Sequence, residues 1–215
     1  MVFDFEIRHW HLTHPTDDEL NAIASILTAG FSTSPITILG SGGRKENEHT
    51  FHKVCAAGAA AGAYLFVAVL HGTNDIIGCV FFYPPGKAIM GDELQRAQGF
   101  DQYLAESLTE EQRDAFIQFE VKYGSLGDAV LPPGEKDRVW SVNSLAVAEL
   151  YRKNGVARAL LEAGEALAKA DRSKVVFEAE TDDTLKMYVH LGYTFVKTVL
   201  LDDVICHVIV KDFTV

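Results

Sequence analysis

The segment richest in potential chemistry is Arg152-Lys-Asn-Gly-Val-Ala-Arg158. It lies between a strand-like run ending at Val147 and an apolar run continuing through Leu160-Leu161. A helix opening at Asn154-Gly155 presents backbone N–H groups that have no partner inside the helix. Gly155 and Ala157 leave that turn bare, so a ligand can approach the backbone. Arg152, Lys153 and Arg158 surround it with positive charge. Free amides, the positive end of the helix dipole and three cations together suit a diphosphate. A basic loop before a glycine also occurs at helix starts that bind nothing. No Lys-Ser or Lys-Thr follows Gly155, so this is not a Walker loop, and the third glycine of a dinucleotide fingerprint is missing. The other glycine cluster, Gly40-Ser-Gly-Gly43, has Lys45 where that fingerprint wants glycine.

Other candidate groups are less informative. Arg8-His9-Trp10-His11-Leu12-Thr13-His14 and His49-x-x-His52 lack the cysteines or completing carboxylate of a recognised metal site, so no metal is expected. His190 reads as a surface residue and His207 as a satisfied sheet residue. No Gly-x-Ser-x-Gly elbow occurs, which leaves a serine hydrolase unsupported.

The elements that must position these residues follow from periodicity. Phe3 to Trp10 reads as a strand with Phe3, Phe5 and Ile7 on one face. Asp17 to Phe31 reads as a helix capped by Thr16 or Asp17, with Leu20, Ile23, Ile26 and Leu27 as its stripe. Ser32 to Gly43 reads as a loop, and Lys45 to Ala63 as a second helical stretch. Tyr64 to Leu70 and Ile76 to Tyr83 read as a hairpin turning at His71-Gly-Thr-Asn-Asp75. Gly91 to Tyr123 is expected to be largely helical, with Phe100, Tyr103, Leu104 and Leu108 in one stripe and Phe116, Phe119 and Val121 further on. A loop over Leu126 to Asp137 leads to a strand at Arg138 to Val147, a helix at Gly155 to Ala170 and a strand at Lys174 to Ala179. A helix at Thr184 to Leu191 and strands at Thr194 to Leu200 and Val204 to Lys211 complete the order. One mixed sheet covered by helices accounts for all of it.

Composition sets the class. The chain has 215 residues, 48% hydrophobic and 23% charged, which excludes a disordered protein. Nineteen basic against thirty acidic side chains give a net charge of −11 with no basic run, so a nucleic-acid partner is not expected. The field instead slightly favours cationic partners such as amines. Cys55, Cys79 and Cys206 sit apart in apolar runs, as reduced thiols of a cytoplasmic or nuclear protein would. Met1-Val-Phe-Asp-Phe-Glu has neither the basic nor the apolar region of a signal peptide. The uncharged stretch Val54 to Leu70 is half Ala and Gly, and reads as a helix end entering a buried strand, not a membrane span.

Arg152-Lys-Asn-Gly-Val-Ala157 resembles the Arg/Gln-x-x-Gly-x-Gly/Ala loop of the GNAT superfamily of N-acetyltransferases. Leu145-Ala-Val147 resembles the end of that family's central strand. Leu185-Lys-Met-Tyr-Val-His-Leu-Gly-Tyr-Thr-Phe195 is similar to its second signature, a helix with a Tyr followed by Leu-Gly-Phe/Tyr. The resemblance is firmest over residues 138–200. It implies an α/β (α+β) fold: a mixed, mostly antiparallel sheet with splayed central strands and helices on both faces. The chain would be a single domain over residues 1–215, with a helical insert over about 88–137 that is either a lid, a partner surface or a cover for the core.

The resemblance also implies a reaction, transfer of an acetyl group from acetyl-CoA to a primary amine by direct attack. The pyrophosphate would rest on Arg152, Lys153, Asn154, Gly155, Val156, Ala157 and Arg158. The pantetheine arm would pair with the backbone of Leu145, Ala146 and Val147, and the Val147 N–H would serve the oxyanion. Tyr188 would be the acid, since a phenol of pKa about 10 can donate to a thiolate of pKa above about 8. On its residues alone Tyr188 reads first as a core aromatic sharing a face with Leu185 and Val189. Thr181 stands where the family often has Asn, and Asn143-Ser144 where some members keep a basic carboxylate. Glu178 and Glu180 alternate onto one strand face, where either could bind or deprotonate an ammonium, or be a solvated strand end. A non-catalytic acyl-CoA-binding module, a scaffold that has lost the cofactor, and an acyltransferase for another acyl group or a hydroxyl remain open.

Overall fold

The structure is a computed structural model and describes residues 3–214. Seven strands form one sheet: β1 (Phe5–His11), β2 (Tyr64–Leu70), β3 (Ile76–Tyr83), β4 (Trp140–Val147), β5 (Lys174–Ala179), β6 (Thr194–Leu201) and β7 (Val204–Asp212). Their spatial order is β1-β2-β3-β4-β5-β7-β6, and every neighbouring pair is antiparallel except β4 with β5. The mixed, mostly antiparallel sheet expected from the sequence is therefore present. The β4–β5 pairing spans only Trp140 with Val175 and Ser141 with Val176. Beyond those pairs the two strands part, and a cleft opens in the middle of the sheet.

Helices cover both faces. On one face lie α1 (Asp17–Phe31), α2 (Pro35–Gly40), α3 (Lys45–Gly62), α4 (Glu93–Arg96), α5 (Phe100–Ser107) and α6 (Glu110–Gly124). On the other lie α7 (Val156–Ala170) and α8 (Asp182–His190). The Thr16 and Thr109 side chains start α1 and α6 with reciprocal capping boxes to Glu19 and Gln112. Helix α7 approaches β3 so closely that a Cβ at Gly164 would run into the Phe82 ring. Leu160 and Leu161 of α7 are fully buried, each worth roughly 1.5–3 kcal/mol of transfer free energy.

Three local expectations need correction. Ser32 to Gly43 is not all loop, because Ser34 stands at the N-cap and Pro35 opens α2, a position where its missing N–H costs nothing. Helix α8 begins two residues earlier than expected, because the Thr181 side chain accepts from the Thr184 N–H and the Thr184 side chain accepts from the Thr181 N–H. Val121 is not part of the inward stripe of α6 and is 70% exposed. The stripe runs through Phe116, Phe119 and Tyr123, three and four residues apart, so the fourth inward position falls on Glu120. Cys55, Cys79 and Cys206 are free and buried. Among the described residues no helix is long and apolar enough to cross a membrane.

Candidate active site

Strand β4 carries the device that opens the cleft. Cys79 pairs with Ala146 but Phe81 pairs with Asn143, so Val80 alone faces both Ser144 and Leu145. This is a β-bulge, and Ser144 takes a left-handed φ of 56° to form it. The extra residue reverses the alternation along the strand. Trp140 and Val142 pack towards α7, and so do Leu145 and Val147, while Ala146 turns to the α1–α3 side. The Ser144 hydroxyl donates to Asn143 Oδ1 at 2.5 Å. The splay and the bulge together expose the end of β4 beside the start of α7.

The start of α7 is bare. Gly155 is its N-cap at φ 82°, with no side-chain cap, and a Cβ there would meet nothing within 4 Å. Helix geometry leaves the first-turn N–H groups of Val156, Ala157 and Arg158 without an intrahelical acceptor. Lys153 reaches the same turn in a left-handed conformation, at φ 63°. Asn154 ties the loop by donating to the carbonyls of Tyr151 and Arg152. Lys153, Arg158 and Arg152 are exposed, and among the described residues none pairs with a carboxylate. Arg152 folds back so that its Nε donates to the Val147 carbonyl at 3.0 Å. The predicted phosphate residues and the end of β4 thus meet in one place. An uncapped helix start with unpaired cations and open space above its glycine fits a diphosphate.

Tyr188 is reached from the other direction. Helix α8 buries it against Phe177 and Tyr193, edge to face, with ring centres 4.8 and 5.9 Å away. Among the described residues its hydroxyl has no hydrogen-bond partner. Burial raises its pKa above the ordinary phenol value, and the charge of Glu180 adds to this. Leu185 is half-buried beside it, but Val189 is exposed and does not share the face. Tyr193 is held in place because its hydroxyl donates to Glu165 at 2.7 Å, and Lys211 pairs with the same carboxylate at 2.6 Å. Of the histidines set aside above, His190 is exposed, while His207 is buried between Thr198 at 3.0 Å and Asp182 at 3.2 Å.

Glu178 and Glu180 do share a strand face, but it is not a solvated end. Val175, Phe177 and Ala179 point to α7 and α8, so the two carboxylates point the opposite way, towards α2 and α6. Burial pushes Glu178 up to about 7, although the Tyr123 hydroxyl, its own backbone N–H and Lys136 hold it down in part. Burial also raises Glu180, which accepts from Ser34 Oγ at 3.2 Å. Two contributors escaped the sequence reading: Ser34, in a stretch read as loop, and Tyr123, whose place in the α6 stripe was legible from its spacing to Phe116 and Phe119.

Known proteins resemble the chain in sequence pattern and in fold. The acetyltransferase (GNAT) family model matches residues 37–193, most of the chain. No curated protein sequence matches it. Among solved structures, a Corynebacterium glutamicum protein described as histone acetyltransferase HPA2 and related acetyltransferase superposes with a TM-score of 0.61 at 17% identity, covering 99% of this chain and 97% of that one. A mosquito arylalkylamine N-acetyltransferase like 5b gives 0.56 at 16%, with 97% and 100% covered. A Drosophila melanogaster polyamine N-acetyltransferase gives 0.57 at 12%, again with 97% and 100% covered. At these identities the structures testify to the fold alone. The family match and the shared architecture lead to one conclusion: this chain belongs to the GNAT family of acetyltransferases.

Proposed function

We propose that the protein is an acetyl-CoA-dependent N-acetyltransferase acting on a primary amine. The observation that carries this reading is the bare, cation-flanked start of α7 beside the parted ends of β4 and β5. Acetyl-CoA supplies an activated thioester when bound. The first-turn amides from Gly155 to Arg158 would hold its diphosphate, with Arg152, Lys153 and Asn154 shaping the loop. Leu145, Ala146 and Val147 would offer backbone to the pantetheine arm, and the Val147 N–H would donate to the oxygen that gains charge. An amine acceptor is in keeping with the structures of this fold described as arylalkylamine and polyamine N-acetyltransferases.

The two sides of the cleft would divide the proton work. Glu178, with its pKa near 7, is poised to take a proton from an arriving ammonium at neutral pH. Glu180 would orient the same amine. Tyr188 keeps its proton at any physiological pH and would give it to the departing thiol. This order of events needs no covalent enzyme intermediate, so amine and thioester would react while both are bound. We read residues 1–215 as one functional unit, with the insert forming a wall of the acceptor site.

The test is thiol release from acetyl-CoA in the presence of a panel of primary amines. Release that depends on the amine, with the N-acetyl product detected by mass spectrometry, is the expected result. Release at the same rate with and without every amine, and no acetylated product, would overturn the reading.

A further inference from the structure

Tyr188 is 8% exposed, and among the described residues no hydrogen bond fixes its hydroxyl. Its place is set by two rings. Phe177 meets it edge to face with ring centres 4.8 Å apart, and Tyr193 with centres 5.9 Å apart. Phe177 is fixed by the β5–β7 ladder, where it lies opposite Ile209. Tyr193 lies between α8 and β6, outside both elements. Its N–H donates to the Tyr188 carbonyl at 3.1 Å, which holds one end of the residue. The other end of the ring needs a tie of its own.

That tie comes from α7. Glu165 is 7% exposed and lies on the buried face of the helix with Leu161 and Ala168. Its Oε1 accepts from the Tyr193 hydroxyl at 2.7 Å, and its Oε2 accepts from Lys211 Nζ at 2.6 Å. Burial and the adjoining carboxylate raise the pKa of Tyr193, so its hydroxyl keeps the proton it donates. Lys211 also donates to the carbonyl of Leu191, the C-cap of α8, at 3.3 Å. Its ammonium lies 5.0 Å from the centre of the Tyr193 ring.

A carboxylate is costly to bury, and this one is sustained by a charged and a neutral donor. Apolar residues in place of such a pair are often as stable or more so. Packing α7 on the sheet therefore does not by itself call for a carboxylate at this position. What Glu165 adds is direction. It fixes the Tyr193 ring from its far end and, through Lys211, the end of the helix that carries Tyr188. Glu165 lies roughly 14 Å along the axis from Val156, the first residue of α7. One rigid rod thus joins the proposed diphosphate site to the support of the acid.

We propose that Glu165 is a positioning residue for the acid. Through the Tyr193 hydroxyl it sets where the Tyr188 hydroxyl stands relative to a thioester held at the start of α7. This rests on the N-acetyltransferase reading and deepens its account of the proton donor. In this role Glu165 touches neither substrate and exchanges no proton. Its effect is confined to the geometry of the step in which Tyr188 donates.

The test is a double-mutant cycle on kcat, with acetyl-CoA and the best acceptor of the amine panel. Tyr193→Phe removes the bond to Glu165 and leaves the Glu165–Lys211 pair intact, while Glu165→Gln disturbs both. Each should lower kcat about 10-fold, within the loss of up to about 100-fold that a 1 Å misplacement brings. The acetyl-CoA dissociation constant, measured by calorimetry, should stay within about twofold, which also reports that the variant is folded. In a Tyr188→Phe background the same changes should cost less than about twofold, because no acid is left to misplace. If Glu165→Gln does not fold, Tyr193→Phe carries the cycle by itself. Unchanged kcat in Tyr193→Phe, or a loss of the same size with and without the Tyr188 hydroxyl, would overturn the positioning role and leave the acetyltransferase standing. No transfer to any amine by the wild-type protein would overturn both.

Discussion

The two sides of the cleft are built on opposite principles. The α7 side is basic, exposed and made from seven consecutive residues, Arg152 to Arg158. The facing side is acidic, largely buried and assembled from the α1–α2 loop, α6 and β5, which are far apart in the chain. Backbone amides at a helix start can be presented by a local loop, and the diphosphate they suit is the same whatever the acceptor. An ammonium site needs desolvated carboxylates, and desolvation requires several elements packed around them. On the proposed reading, the cofactor half of the site is therefore local, and the acceptor half is tertiary.

In the proposed mechanism Tyr188 works between the two sides, and its replacement should separate them most sharply. Tyr188→Phe should lower kcat about 100-fold, the ordinary scale of a general acid, while the acetyl-CoA dissociation constant stays within about twofold. Pre-steady-state thiol release and calorimetry measure the two quantities. Equal damage to both would show that Tyr188 only supports packing. Glu178→Gln should act on the acidic side alone. The wild-type kcat/KM should rise with pH through about 7 as Glu178 ionises, and the variant should lose that step with a roughly 100-fold lower plateau.

The acidic side also predicts an unusual pH dependence of stability. Burial pushes Glu120 and Glu178 up to about 7 in the folded chain, from an ordinary carboxyl value of 4.5. Between those values the folded chain binds more protons than the unfolded one, so stability falls as pH rises and levels off above about 7. The melting temperature of the free protein should be lower at pH 8 than at pH 5, and Glu120→Gln should flatten the curve. The smallest effect is local: Thr181→Ala removes the α8 cap and should cost about 1 kcal/mol in urea unfolding.

The same contrast explains what could be read without coordinates. The strand–loop–helix from Trp140 to Ala170 was legible because period, glycine and charge all lie within one window. Glu178 and Glu180 were legible as a pair on one face, but alternation does not say what that face meets. Ser34 was hidden because a Ser-Pro sequence suits a helix start as well as a loop, and only packing against β5 gives its hydroxyl a role. Glu120 was hidden by placing Val121 in the stripe of α6. The spacing from Phe116 and Phe119 to Tyr123 points to Glu120 instead, and a carboxylate in an inward stripe is itself a signal of function. The β4 bulge left no mark, because Ser144 takes a left-handed conformation with no glycine to announce it.

The central claim is that the start of α7 binds the diphosphate of acetyl-CoA. Calorimetric titration of the protein with acetyl-CoA, beside an Arg152→Ala, Gly155→Glu double variant, tests it most directly. The account predicts one site of micromolar affinity in the wild-type protein, lost in a variant whose helix start carries a carboxylate and lacks an arginine. No heat from the wild-type protein at millimolar acetyl-CoA, or equal affinity in the variant, would contradict it.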